Sequence, residues 1–157
     1  MLLNLGAGRE AWAAYSDPLS LPKRAHLLAD VRRNAAFYNA PLRAPKPPRP
    51  NSIPALCVAA ALGPEGHDAF RHAVFDALWQ QQRDISDPKV LAECLASAGR
   101  DPDLANSAVT PQAREALADN TRHAYANGIF GVPTFVCNDE IFFGNDRLDM
   151  LAWRINS

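Results

Sequence analysis

A proline stands at the mouth of the most strand-like stretch of this chain, and it limits what that stretch can do. In G-I-F-G-V-P-T-F-V (residues 128–136) Pro133 has no N–H to give a ladder. It therefore belongs at the start of a strand, at a sheet edge or in a shaped turn. A bond that precedes proline is also one where the cis isomer is accessible at modest cost. Val132–Pro133 is thus either a plain trans strand start or a shaped feature that exposes the main chain of Val132. Beyond it, the short runs T-F-V-C-N-D and E-I-F-F-G, with Asn138-Asp139 between them, carry a two-residue hairpin signal.

Almost everything before that point reads as helix. Residues 21–41 place Ala25, Leu28, Ala29, Ala35 and Ala36 on one stripe, with Leu27 and Val31 alongside and Asp30, Arg32 and Arg33 on a wet face. Five prolines within residues 40–50 make a loop that is neither helix nor central strand. A buried-looking helix follows over 51–63, capped by Asn51 or Ser52 and stopped by Gly63. Residues 64–81 form an amphipathic helix with Phe70, Val74, Phe75, Leu78 and Trp79 as its stripe. In 84–99 Asp87 is the cap, Pro88 the first helical residue and Gly99 the stop. The Asp-Pro start recurs in a short helical turn at 100–108. Another helix runs from Thr110-Pro111 to Asn127-Gly128. After the hairpin, N-D-R-L-D-M-L-A-W-R-I is a helix with Leu148, Leu151, Ala152 and Ile155 on one side.

The composition excludes several classes. A chain of 157 residues holds one sizeable core, and 48% hydrophobic against 21% charged residues is globular. A net charge of −1 leaves no electrostatic footprint for nucleic acid. No apolar run is long enough to span a bilayer. Cys57, Cys94 and Cys137 are odd in number and far apart, with no C-x-x-C. They read as free thiols in a reducing cytoplasm, and Cys137 as a small buried hydrophobe. His26, His67, His72 and His123 have no metal-ligand spacing, and no metal is expected.

G-I-F-G-V-P-T-F-V followed by F-F-G-N-D-R-L-D-M-L resembles the C-terminal half of the 2-hydroxychromene-2-carboxylate isomerases. With the kappa-class glutathione transferases, these belong to the DsbA-like branch of the thioredoxin fold. L-P-K-R-A-H-L-L-A-D-V-R-R-N-A-A-F-Y-N-A-P-L-R and the helices after it follow the same family's order, so the likeness runs from about Leu3 to Ile155. It implies an α+β, thioredoxin-like fold. Residues 1–21 would be a connector from the thioredoxin part, 22–109 a helical insertion, and 110–157 the returning helix, cis-proline, hairpin and helix. It implies glutathione as cofactor, a small aromatic-derived acid as substrate, and isomerisation through a reversible thiol adduct. A kappa-like transferase and a non-catalytic remnant that serves as a binding domain are the alternatives.

The resemblance also assigns residues. It makes Pro133 a cis-proline, with the N–H and C=O of Val132 pairing with the cysteinyl backbone of glutathione. Asn145 and Asp146 would hold the glutamyl end, beyond the simple helix capping that an Asn there performs in any case. Lys23 would meet the glycyl carboxylate, where the plain reading is a solvated lysine in a first helical turn. The family's serine loop has no counterpart here: Ser16 and Ser20 fall in the wrong segment, and Asn4 lies too far upstream to be a glutathione-contacting asparagine. The catalytic residue is left unassigned. The implied sheet lacks two strands, so weak turnover and self-association at an open edge are expected of residues 1–157 alone.

Overall fold

The computed structural model describes residues 20–46, 48–62 and 66–157. Asn4, Ser16, Gly63 and nearly all of the 1–21 connector lie outside the described residues. The helices are α1 (Leu21–Phe37), α2 (Ile53–Leu62), α3 (His67–Trp79), α4 (Pro88–Ser97), a 3-10 helix (Pro102–Val109) and α5 (Pro111–Ala126). Then come β1 (Thr134–Cys137), β2 (Glu140–Phe143), a 3-10 turn (Asn145–Arg147) and α6 (Leu148–Ile155). Two compact units divide the chain, and the division falls inside α5 between Leu117 and Ala118.

The helical unit is built by its caps and its apolar stripes. Asn51 Oδ1 accepts the Ile53 N–H at 3.2 Å and opens α2. Asp87 accepts the Lys89 N–H at 2.9 Å and opens α4, with Pro88 as its first residue. Gly99, at φ +68°, closes α4. Asp101 accepts the Asp103 N–H at 2.9 Å, and the turn that begins there runs eight residues as a 3-10 helix. Between these elements lie Val58 from α2, Phe70, Val74 and Leu78 from α3, and Leu91 and Leu95 from α4. Phe75 is not part of this core and is 57% exposed. Phe70, Val74, Ala77 and Leu78 keep the helical period, and Phe75 sits 140° around the helix from Phe70.

The link from α3 to α4 is held by polar bonds. Asp84 accepts the Ser86 N–H at 2.9 Å and its hydroxyl at 2.7 Å, which draws the Asp84 carboxyl below its ordinary range. Arg83 pairs with Glu93 at 2.7 Å, which raises the guanidinium and lowers the carboxyl. Arg43 N–H donates to Trp79 C=O at 2.7 Å, and Gln82 Nε2 to Ala44 C=O at 2.7 Å, so the proline-rich loop lies on the end of α3.

The stripe expected on α1 is not buried: Leu28 is 58% and Val31 51% exposed, and the helix has no buried residue. Ala29 and Ala35 are half-buried. A stripe made mostly of alanines has little apolar area to drive burial.

In the second unit, α5 ends at Gly128 (φ +78°), with the Ile129 N–H reaching back to Ala124 C=O at 3.0 Å. The strands are antiparallel, with Thr134 opposite Phe143 and Val136 opposite Ile141. Asn138 and Asp139 turn at φ +50° and +63°, the left-handed pair that a tight hairpin demands. Side chains alternate across the ribbon. Phe135 and Phe142 share one face, where Phe142 is buried; Thr134, Val136, Ile141 and Phe143 share the other. Helix α6 packs on β1, and Arg154 pairs with Glu140 at 2.8 Å. Its expected apolar side is largely bare: Leu148 is 41% and Ile155 64% exposed, Ala152 is exposed and Leu151 half-buried. Cys137 is half-buried rather than buried, while Cys57 and Cys94 are buried, and all three are free.

Candidate functional site

The loop from α5 into β1 is shaped by close backbone contacts. Thr134 Oγ1 donates to Gly131 C=O at 2.6 Å. A Cβ on Gly131 would lie 2.6 Å from Phe143 Cε2, so only glycine lets that ring rest on the loop. Phe130 leans on the same ring, with centroids 4.8 Å apart at 50°. The Val132–Pro133 peptide bond is cis. Val132 is 58% exposed, and no hydrogen bond among the described residues uses its main chain.

The hairpin then brings the second segment alongside the first. Thr134 pairs with Phe143, and one step further the Gly144 N–H donates to Pro133 C=O at 3.0 Å. Asn145 and Asp146 therefore follow directly at the Val132 end of the ribbon, opposite to the Asn138–Asp139 turn. Gly144 has φ +105°, and a Cβ there would run into the Asp146 carboxylate, which folds back over it. Asp146 Oδ2 also accepts from Arg147 Nη1 at 3.0 Å, with both side chains exposed. An exposed pair of this kind contributes little on its own, so the carboxylate gives it up readily to a better partner.

Capping by Asn145 takes a different form from the one expected. Asn145 opens a 3-10 turn, and the N-cap position of α6 is Arg147, which makes no side-chain cap bond. Lys23 is exposed in the first turn of α1, in the helical unit. The hairpin thus gathers Val132, Pro133, Asn145 and Asp146, and Lys23 belongs to the other unit. Phe130 and Phe143 at this edge were passed over in the sequence; Gly131, beside Phe130 in the loop, was the signal that a side chain lies close to the backbone there.

His67 bonds to the Ala59 carbonyl, which is a structural use of that ring. Among the described residues no cluster of His, Cys, Asp and Glu could hold a metal ion, and no helix is long and apolar enough to cross a membrane. An open cleft of about 410 Å³ lies between the last turns of α5 and the face of Val136 and Ile141, with His123 and Asp139 at its rim. It is at the turn end of the ribbon.

Residues 4–156 match the DSBA-like thioredoxin domain. The chain belongs to that family. Within it, the chain is 33% identical over 133 residues to 2-hydroxychromene-2-carboxylate isomerase of Sphingobium xenophagum, covering 83% of this chain and 67% of the relative. It is 32% identical over 133 residues to the protein of that name from Pseudomonas sp. (strain C18), covering 80% of this chain and 59% of the relative. Human glutathione S-transferase kappa 1 is 26% identical over 97 residues, covering 57% of this chain and 43% of that one. The fold matches a solved 2-hydroxychromene-2-carboxylate isomerase with a TM-score of 0.72 at 24% identity, over 98% of this chain and 71% of that structure. The chain thus spans between two fifths and two thirds of the curated relatives. Its helices and hairpin are the α+β, DSBA-like thioredoxin fold.

Proposed function

We propose that the edge formed by Val132, Asn145 and Asp146 binds glutathione, and that the chain serves a glutathione-dependent isomerase of the 2-hydroxychromene-2-carboxylate type. The observation that carries this is the Pro133–Gly144 hydrogen bond, which sets Val132, an exposed residue whose main chain has no hydrogen bond among the described residues, beside the Asn145–Asp146 turn. An extended tripeptide can add to such a main chain as a short strand. Its ammonium group suits the Asp146 carboxylate as a charge-assisted partner. Lys23 is assigned to the glycyl carboxylate by the family resemblance alone.

The chemistry is a reversible addition. The glutathione thiolate forms a C–S bond to the alkene carbon conjugated with a carbonyl, and the electron pair moves onto the carbonyl oxygen. The former double bond, now single, rotates. The electrons return, the C–S bond breaks, and the thiolate leaves with the alkene isomerised and no net oxidation. Kappa-type transfer is the second reading, supported by the kappa relative, and it would share the same glutathione edge.

Titration calorimetry with glutathione tests the binding. The Asp146→Ala variant is expected to bind about 1–3 kcal/mol more weakly than the wild type, the range for losing a bond to a charged group. Equal affinity removes Asp146 from the site, and no binding by the wild type defeats the reading. Turnover of a hydroxychromene acid, against conjugation of an electrophilic arene, separates the isomerase from the transferase.

A further inference from the structure

Phenylalanine prefers the interior, so an exposed pair of fixed phenylalanine rings calls for an explanation. Phe130 is 64% and Phe143 43% exposed, and Val132, two residues after Phe130 in the same loop, is 58% exposed. The rings are not loosely placed. Gly131 seats the Phe143 ring against the loop backbone, Thr134 Oγ1 pins that loop, and Phe130 stacks at 4.8 Å and 50° on Phe143. The surface is therefore held in shape before any ligand arrives, which lowers the ordering cost of binding. Another exposed ring pair, Phe37 with Tyr38, closes α1 in the helical unit, apart in sequence from this loop and hairpin.

We infer that Phe130 and Phe143 form a stacking surface that selects the planar, conjugated part of the substrate and sets it next to Val132. The inference rests on the reading of this edge as the glutathione site, because the thiol held there must meet a conjugated carbon. A flat π system gains from offset or edge-to-face contact with such rings, and a saturated skeleton of equal size does not. Phe130 and Phe143 are thus specificity-determining residues, acting on which acid binds and not on the bond-making step.

The test uses the full chain and two acids of the same size, 2-naphthoate and its saturated decahydro analogue, with affinities measured by calorimetry. The wild type is expected to prefer the naphthoate. Phe130→Leu should lower naphthoate affinity about 3- to 10-fold, the worth of one aromatic pair, and leave the decahydro acid and glutathione unchanged. Phe130→Tyr should keep the preference. Because Phe130 is mostly exposed, the leucine variant should keep the wild-type circular dichroism. Equal binding of the two acids by the wild type, an indifferent Phe130→Leu, or a loss that falls equally on both acids overturns the inference. If glutathione fails to bind while the naphthoate preference follows Phe130, the ring surface stands and the glutathione reading falls.

Discussion

Cys57 and Cys94 hold their thiols inside the helical unit, at 0% and 4% exposure. Burial pushes both thiols above the ordinary range, with Arg114 opposing it for Cys57 and Arg83 for Cys94. The consequence for stability has a definite sign. Unfolded thiols ionise at lower pH than these, so the folded state keeps its full advantage below the ordinary thiol range and loses it as pH rises through the raised values. Urea midpoints should fall between pH 7 and pH 10, and Cys57→Ala should flatten that fall; a midpoint with the same pH slope in the variant would refute the assignment. Single residues were also where sequence reading reached least far. Asn145 and Asp146 looked like a simple helix cap. The structure there turns on contacts no periodicity encodes, such as the Asp146 carboxylate over Gly144 and the Phe143 ring on Gly131.

Helices with a strong start signal were legible, because a cap is local chemistry. Asp87-Pro88 and Thr110-Pro111 open α4 and α5 where the sequence places them, and Asn138-Asp139 turns the hairpin. The stripes were legible only where tertiary partners exist: α3 buries Phe70, Val74 and Leu78 of its stripe, and α1 buries none of its own. Two changes in α4 separate these contributions. Asp87→Ala should cost about 0.5–2 kcal/mol through the lost cap. Leu91→Ala, at a fully buried position, should cost about 2–5 kcal/mol through lost burial and the cavity left behind. Denaturant unfolding of both variants decides, and a larger loss at Asp87 than at Leu91 would reverse this ordering.

At the scale of the whole molecule, buried apolar residues are unevenly shared. Val58, Phe70, Leu91, Leu95 and their neighbours lie in the helical unit, while over residues 118–157 Phe142 alone among the described residues is buried. The family and the α+β fold were legible from the pairing of G-V-P-T-F with F-F-G-N-D-R. The distribution of stability was not, because it depends on which faces meet across the chain.

That imbalance has a kinetic face. Amide protons are released by local opening, and opening is cheapest where few apolar contacts must be broken. In deuterated water the amides of α2, α3 and α4 should exchange last, near the global limit. Those of β1 and β2 should exchange orders of magnitude sooner, through excursions that leave the helices intact. A ligand lying along Val132 should then slow the hairpin amides while leaving the helical ones as they were. Uniform exchange across both units would show that the hairpin opens only when everything else does. With the expected pattern, the segment proposed to grip a ligand, ordered as it is while closed, is also the one that opens at least cost, and occupancy becomes readable as a change in its exchange clock.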